Sequence, residues 1–300
     1  MKTKYYIFAL AAMTMTLGSC SDSENTTGTE APKSITVSTS IGKMTRITTD
    51  AKGTQTFSEG DEISVYAWTG SAENVPAAAG RVVNNAINKL TDKVWVATPQ
   101  MLWKNNLDQH YFIGIYPTKN VDNLTADTYT FNAENQLASD LLVAVNVKGL
   151  SYTKDAKDAV KLDFTHVMAK MVVNLTYKNQ WGGTPTVKNV VVSDAVKEAT
   201  INYLTKAVTP TATAQADFEV PATVANTQYV SVLIPQNVIQ KLAITIGDKT
   251  FIYDNGTPFN FESGKITTIN LEVGRDQVIL DEVKISDWED GSTFKGEAFD

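Results

Sequence analysis

Short stretches in which apolar residues recur at every second position run along most of this chain, and that period leaves little room for anything but a β protein. Ile35, Val37, Thr39 and Ile41 alternate with Thr36, Ser38 and Ser40, the pattern of a strand with one buried face. Ile63, Val65 and Ala67 repeat it after the turn Glu59-Gly60-Asp61. Met171, Val173, Leu175 and Tyr177 alternate again, as do Val230, Val232 and Ile234, then Leu242, Ile244 and Ile246. Gly247-Asp248 before Phe251-Ile252-Tyr253 reads as a hairpin turn. Residues 111–116 are apolar on both faces and stop at Pro117, and residues 266–273 and 278–285 supply the last strands. One segment, residues 81–90, is spaced like a short helix. Strands this closely spaced, punctuated by Gly, Asn, Asp and Pro, predict an all-β fold of sandwiches.

A length of 300 residues points to two domains at ~150 residues each. The polar stretch 152–158, around Lys154-Asp155-Ala156-Lys157, separates two strand-like segments. It predicts an N-terminal sandwich over 33–156 and a C-terminal one over 157–300. Each is large enough to enclose its own core.

The first residues read differently. Lys2 and Lys4 precede a largely apolar run, residues 5–17, too short to span a bilayer as a helix. Leu17-Gly18-Ser19-Cys20 follows, and Cys20 is the chain's single cysteine. Residues 1–19 are expected to be a signal peptide, with the Cys20 thiol as the acceptor of lipid. More than one acyl chain on that residue makes a firm anchor. Residues 20–32 lack hydrophobic periodicity and read as a flexible tether.

Composition narrows the function. There are 26 Lys and Arg against 33 Asp and Glu, a net −7; losing Lys2 and Lys4 with the leader makes it −9. Nucleic-acid binding wants clustered cations that are missing here. One cysteine excludes an intrachain disulfide and a cysteine-based zinc site, and two histidines leave little for a metal centre. No phosphate-binding glycine loop and no Gly-x-Ser-x-Gly elbow is present. No catalytic residues, metal or cofactor are expected. His110 is expected to be exposed or at an edge. His166, alternating with Phe164 and Met168, is expected to be a partly buried ring bonded to backbone. Asp287, Glu289 and Asp290 are expected to form a solvated turn, since they miss the EF-hand spacing. Trp68, Trp95, Trp103, Trp181 and Trp288 are expected to serve packing; a lipid-anchored module that binds host glycan or protein, using them as stacking platforms, is the alternative reading.

Several segments taken in order carry a family resemblance. Phe57-Ser58-Glu59-Gly60-Asp61-Glu62-Ile63-Ser64-Val65-Tyr66, Tyr111 to Pro117, Phe164-Thr165-His166-Val167-Met168-Ala169-Lys170, Val232 to Gln236, Phe261 to Lys265, and Ile285 to Gly291 resemble the markers of Mfa-like fimbrillins, the pilus subunits of Bacteroides-type bacteria. The resemblance implies two transthyretin-like β-sandwich domains in tandem. It implies export as an outer-membrane lipoprotein through Cys20, and maturation by cleavage between Arg46 and Ile47. It also implies assembly with other pilus subunits by strand exchange, as stalk, tip or anchor: the first strand leaves and a neighbour's C-terminal strand takes its groove. Residues 278–285, the terminal residues, or both are the candidate donor. From Asp276 to Asp300 that region holds eight acids against Lys284 and Lys295, so a strand donated from it needs a tolerant or cationic groove.

Overall fold

The alternating segments become strands because their inward positions have apolar neighbours on which to pack. The computed structural model describes residues 33–42, 56–155 and 157–288. The first half of the chain supplies β1 (Val37–Ile41), β2 (Glu62–Thr69), β3 (Val83–Thr91), β4 (Val94–Thr98), β5 (His110–Tyr116), β6 (Asp127–Thr130) and β7 (Leu142–Leu150). After one helical turn, Tyr152–Asp155, come β8 (Val160–His166), β9 (Ala169–Tyr177), β10 (Val187–Val196), β11 (Glu198–Asn202), β12 (Ala207–Pro210) and β13 (Gln215–Glu219). β14 (Ala222–Val224), β15 (Gln228–Leu233), β16 (Lys241–Ile246), β17 (Lys249–Asp254), β18 (Lys265–Val273) and β19 (Val278–Asp287) complete the series. The protein is all-β.

Seven strands form one sheet in the order β1-β8-β7-β5-β2-β3-β4. All neighbours are antiparallel except β1 and β8, which run parallel. One face of this sheet, carrying Ile63, Val65, Phe112, Ala144, Leu162 and Phe164, encloses a core of its own. The other face, carrying Tyr66, Trp68, Ile113 and Val143, joins the core of the second half. Burial on both faces explains why residues 111–116 are apolar throughout.

The second half is built from β13-β10-β16-β17 and β14-β15-β9-β18-β19. Their inward residues, among them Val190, Val192, Leu242 and Ile244 on one sheet and Met171, Val173, Ile269 and Leu271 on the other, belong to one apolar cluster. A third, small sheet, β12-β11-β6, ties the halves together, since β6 comes from the first and β11 from the second. Pairing in the seven-stranded sheet runs past the expected division at 156/157: β8 is hydrogen-bonded to both β7 and β1. The sheets therefore change over between His166 and Ala169.

The helix expected over residues 81–90 is a strand, β3. Val65 pairs with Ala86 but Ala67 pairs with Val83, so two residues of β3 face one of β2. This is a bulge, with Asn85 at φ +56°. It shifts the inward set by one residue, so that Val83 and Ala86 are spaced as on a helix although they lie on a strand.

Candidate functional site

The strand on which the resemblance centres, β1, lies at one edge of the seven-stranded sheet. Its alternation points Ile35, Val37 and Ile41 inward, each buried, and leaves Thr36, Ser38 and Ser40 outside. On one side it is fully paired: Val37 through Ile41 match Val160 through Phe164 of β8. Val160 N–H donates to Thr36 O at 2.8 Å and Gly42 N–H to Phe164 O at 2.7 Å, extending the ladder beyond both ends.

Among the described residues, the other side is closed only at its start. Ile35 N–H donates to Met101 O at 2.8 Å and Trp103 N–H to Lys33 O at 3.0 Å. Beyond these bonds β1 faces β4, the opposite edge of the same curled sheet, across a cavity of about 950 Å³. Val37, Ile41, Phe57, Leu90, Val94 and Trp95 are among the residues that line it. A side-chain hydrogen bond spans the gap, from Trp95 Nε1 to Thr39 Oγ1 at 3.0 Å. On the outer face Ser40 Oγ donates to an Asp163 carboxylate oxygen.

The floor of the cavity explains one of the sequence markers. In Phe57-Ser58-Glu59-Gly60-Asp61, Ser58 N–H donates to Asp61 Oδ2 at 2.6 Å, and Gly60 takes φ +90°, a conformation that favours glycine. Gly60 N–H then reaches Leu90 O at 2.9 Å, and Leu90 N–H reaches Asp61 O at 2.9 Å. This turn holds Phe57 edge-on to Trp95, Tyr116 and Phe164 at centroid distances of 5.2, 5.3 and 5.2 Å.

Three further markers meet at one point. Phe164 ends in the first core, whereas Met168 enters the second, so the two do not share a face as their spacing suggests. Between them His166 is buried, with Nδ1 2.8 Å from an Asp140 carboxylate oxygen, a side-chain partner that the sequence did not announce. The Trp288 ring stacks on His166 at 4.2 Å and 6°, and Trp288 N–H donates to Gly264 O at 3.1 Å. Gly264 N–H in turn donates to Met168 O at 2.8 Å. The marker around His166, the one around Gly264 and the one ending at Trp288 thus form a single joint. β19, one candidate donor, is paired along its whole length with β18 and ends in this joint.

His110 is fully buried, against expectation. Its Nδ1–H donates to Asp108 O at 3.0 Å, and Lys104 N–H donates to its Nε2, also at 3.0 Å. Only the neutral ring can accept that second bond. Burial holds its pKa below the ordinary value, outweighing the opposing pull of the Asp108 carbonyl and carboxylate. The ring braces a loop.

Trp68, Trp95, Trp103 and Trp288 are buried, and the half-buried Trp181 is covered by Arg275, 5.5 Å from its ring. A sugar platform needs an open ring face, so these side chains do not provide the one weighed from the sequence. Among the described residues no group of three or more His, Cys, Asp and Glu side chains could hold a metal ion. Asp287 is exposed and paired with Lys265. No helix among the described residues is long and apolar enough to cross a membrane. Cys20, Arg46, Ile47, Glu289 and Asp290 lie outside the described residues.

The chain is a tandem all-β protein with an edge strand seated over an apolar groove, and comparison with known proteins gives it a family. The sequence matches the fimbrillin-like family over residues 45–288; the chain belongs to that family. No functionally curated protein matches it. Among solved structures it is similar to a candidate cell adhesion protein from Bacteroides uniformis, with a TM-score of 0.66 and 17% identity over 85% of this chain and 98% of that one. A candidate cell adhesion protein from Bacteroides ovatus gives 0.64 and 18% over 86% and 99%. The tip fimbrial protein Mfa3 from Porphyromonas gingivalis, C-terminally truncated, gives 0.51 and 8% over 77% and 95%. At these identities the likeness is one of fold. Family membership makes the chain a structural protein of cell-surface pili, not an enzyme.

Proposed function

We propose that this chain is a lipid-anchored pilus subunit that accepts a strand from another subunit once β1 has been released. Cleavage after Arg46 severs β1 from the rest of the chain, leaving it held by non-covalent contacts alone. Its departure uncovers the β8 ladder together with an apolar floor, a combination that invites strand addition. Donor and groove lie at different places on one subunit, so the contact is head-to-tail and can extend into a filament. Before release, lipidated Cys20 anchors the precursor to the outer membrane, with residues 20–32 as tether.

The observation that carries this reading is the asymmetry of β1. It has one complete ladder, on β8, and a cavity on most of its other side. The test is N-terminal sequencing of native material together with size-exclusion chromatography of Arg46→Ala. Wild type should begin at Ile47 in the assembled form. The variant should fold, keep β1 and stay monomeric, because an attached strand competes at an effective concentration that no free donor matches. If Arg46→Ala polymerises as well as wild type, strand release at Arg46 is not the mechanism.

A further inference from the structure

We infer that the β1 groove selects its occupant by a hydroxyl group, read by Trp95 at the position of Thr39. This rests on the strand-exchange reading above and names the chemistry of the incoming strand. β1 itself is the seated template. Its inward side chains are Ile35, Val37, Thr39 and Ile41, and the first, second and fourth are buried hydrocarbon. The third faces an indole that is itself buried and packed edge-on against Phe57.

An indole N–H only donates, and the acceptor for Trp95 Nε1 is Thr39 Oγ1 at 3.0 Å. A strand with aliphatic side chains at all four inward positions would fill the floor and leave that donor facing carbon. A site built to hydrogen-bond its ligand rejects an analogue lacking the group far more strongly than an apolar pocket rejects a missing methyl. The preferred occupant is therefore an extended strand with apolar residues at the first, second and fourth inward positions and Ser or Thr at the third. Ser40 makes a different contribution. Its bond to Asp163 lies on the exposed face, where solvent competes and selectivity is weak.

The hydrogen bond is read by a double-mutant cycle on the intact chain, and the choice of strand by peptide capture on the chain cleaved after Arg46. In the first, urea unfolding of wild type, Thr39→Val, Trp95→Phe and the double variant should be non-additive, since the second change removes a partner already lost. In the second, labelled peptides spanning residues 33–42, with Thr or Val at 39, are offered to the cleaved wild type and its Trp95→Phe form. Wild type should prefer the Thr peptide roughly ten-fold, the consequence of leaving a partly buried donor unpaired. The Trp95→Phe form should lose that preference. Additive effects in the intact chain, or the same preference on both cleaved chains, overturn the inference; they would mean that water from the adjoining cavity serves Nε1 equally well. Capture of neither peptide by cleaved wild type overturns strand exchange instead, and the inference with it.

Discussion

Phe164 is where the acceptor strand and the core of the first sheet depend on one side chain. It is fully buried, pairs with Ile41 of β1 in the parallel ladder, and meets Phe57 edge-on at 5.2 Å. Its ring also lies over the backbone of Gly114 in β5: a methyl group added there would sit 2.7 Å from Phe164 Cζ and 3.2 Å from Leu162 Cδ1. Phe164→Ala should therefore lower stability by about 3–5 kcal/mol, the cost of lost transfer energy plus an unfilled cavity. At about 2–4 °C per kcal/mol, the melting transition should fall by roughly 6–20 °C. Gly114→Ala should cost about 1–3 kcal/mol by overpacking. In the Phe164→Ala background the new methyl has room, so the double variant should lose less than the sum, with a coupling of ~1 kcal/mol. Urea unfolding of the four proteins measures this cycle. Strict additivity, or an unchanged midpoint for Phe164→Ala, would refute the packing argument.

The neutral His110 ring binds fewer protons when folded than when unfolded at pH values below about 6.5. Its contribution to stability should thus be complete above that pH and fall away as the pH drops toward its depressed folded value. Urea midpoints across this range should show the slope, and His110→Gln should flatten it; an unchanged slope would remove His110 as its source. Trp288→Ala should lower stability by about 3–5 kcal/mol and make β19 the first segment cut in limited proteolysis; an unchanged melting curve and cleavage pattern would show that the His166 stack does not hold this end of the chain. Cys20→Ser should abolish labelling by fatty acid, and label retained in the variant would place the acyl group elsewhere.

The strands were legible where each had one wet and one dry face, as in residues 35–41, because burial then writes period 2 into the sequence. β3 was not, since its bulge at Asn84 and Asn85 breaks that period and no single-sequence pattern marks a bulge flanked by ordinary residues. The linear markers were legible as words but not as a place: nothing in the spacing of Phe164–Lys170, Phe261–Lys265 and Ile285–Gly291 says that His166, Gly264 and Trp288 touch. His110 was misplaced because its polar neighbours, Asp108 and Gln109, suggest exposure, whereas the ring turns inward to bind two backbone groups. Trp95 reads as one more aromatic in a strand; its hydrogen bond to Thr39 depends on a sheet curling until its first and last strands face each other.

Under the proposed strand exchange, that curl bears on which strand leaves. A strand in the middle of a sheet, such as β18 between β9 and β19, cannot go without opening two ladders and the core beneath them. β19 is an edge strand with one ladder, but the Trp288 side chain, wedged against His166 beyond its end, fastens it to the turn between β8 and β9. β1 is also an edge strand with one ladder, and its open side adjoins a cavity already large enough to admit side chains. It is held by the β8 ladder, by its buried Ile35, Val37 and Ile41, and by its covalent continuation into residues 43–55. Breaking that continuity converts β1 from an attached element at high effective concentration into a ligand that dilutes on leaving. The same cut leaves β2 through β8, with the floor of Phe57, Trp95 and Phe164, as a continuous chain that still carries the receiving surface. Topology therefore makes β1 a strand that can leave without opening a second ladder, and one that must be replaced from outside if the β8 edge is to be paired again.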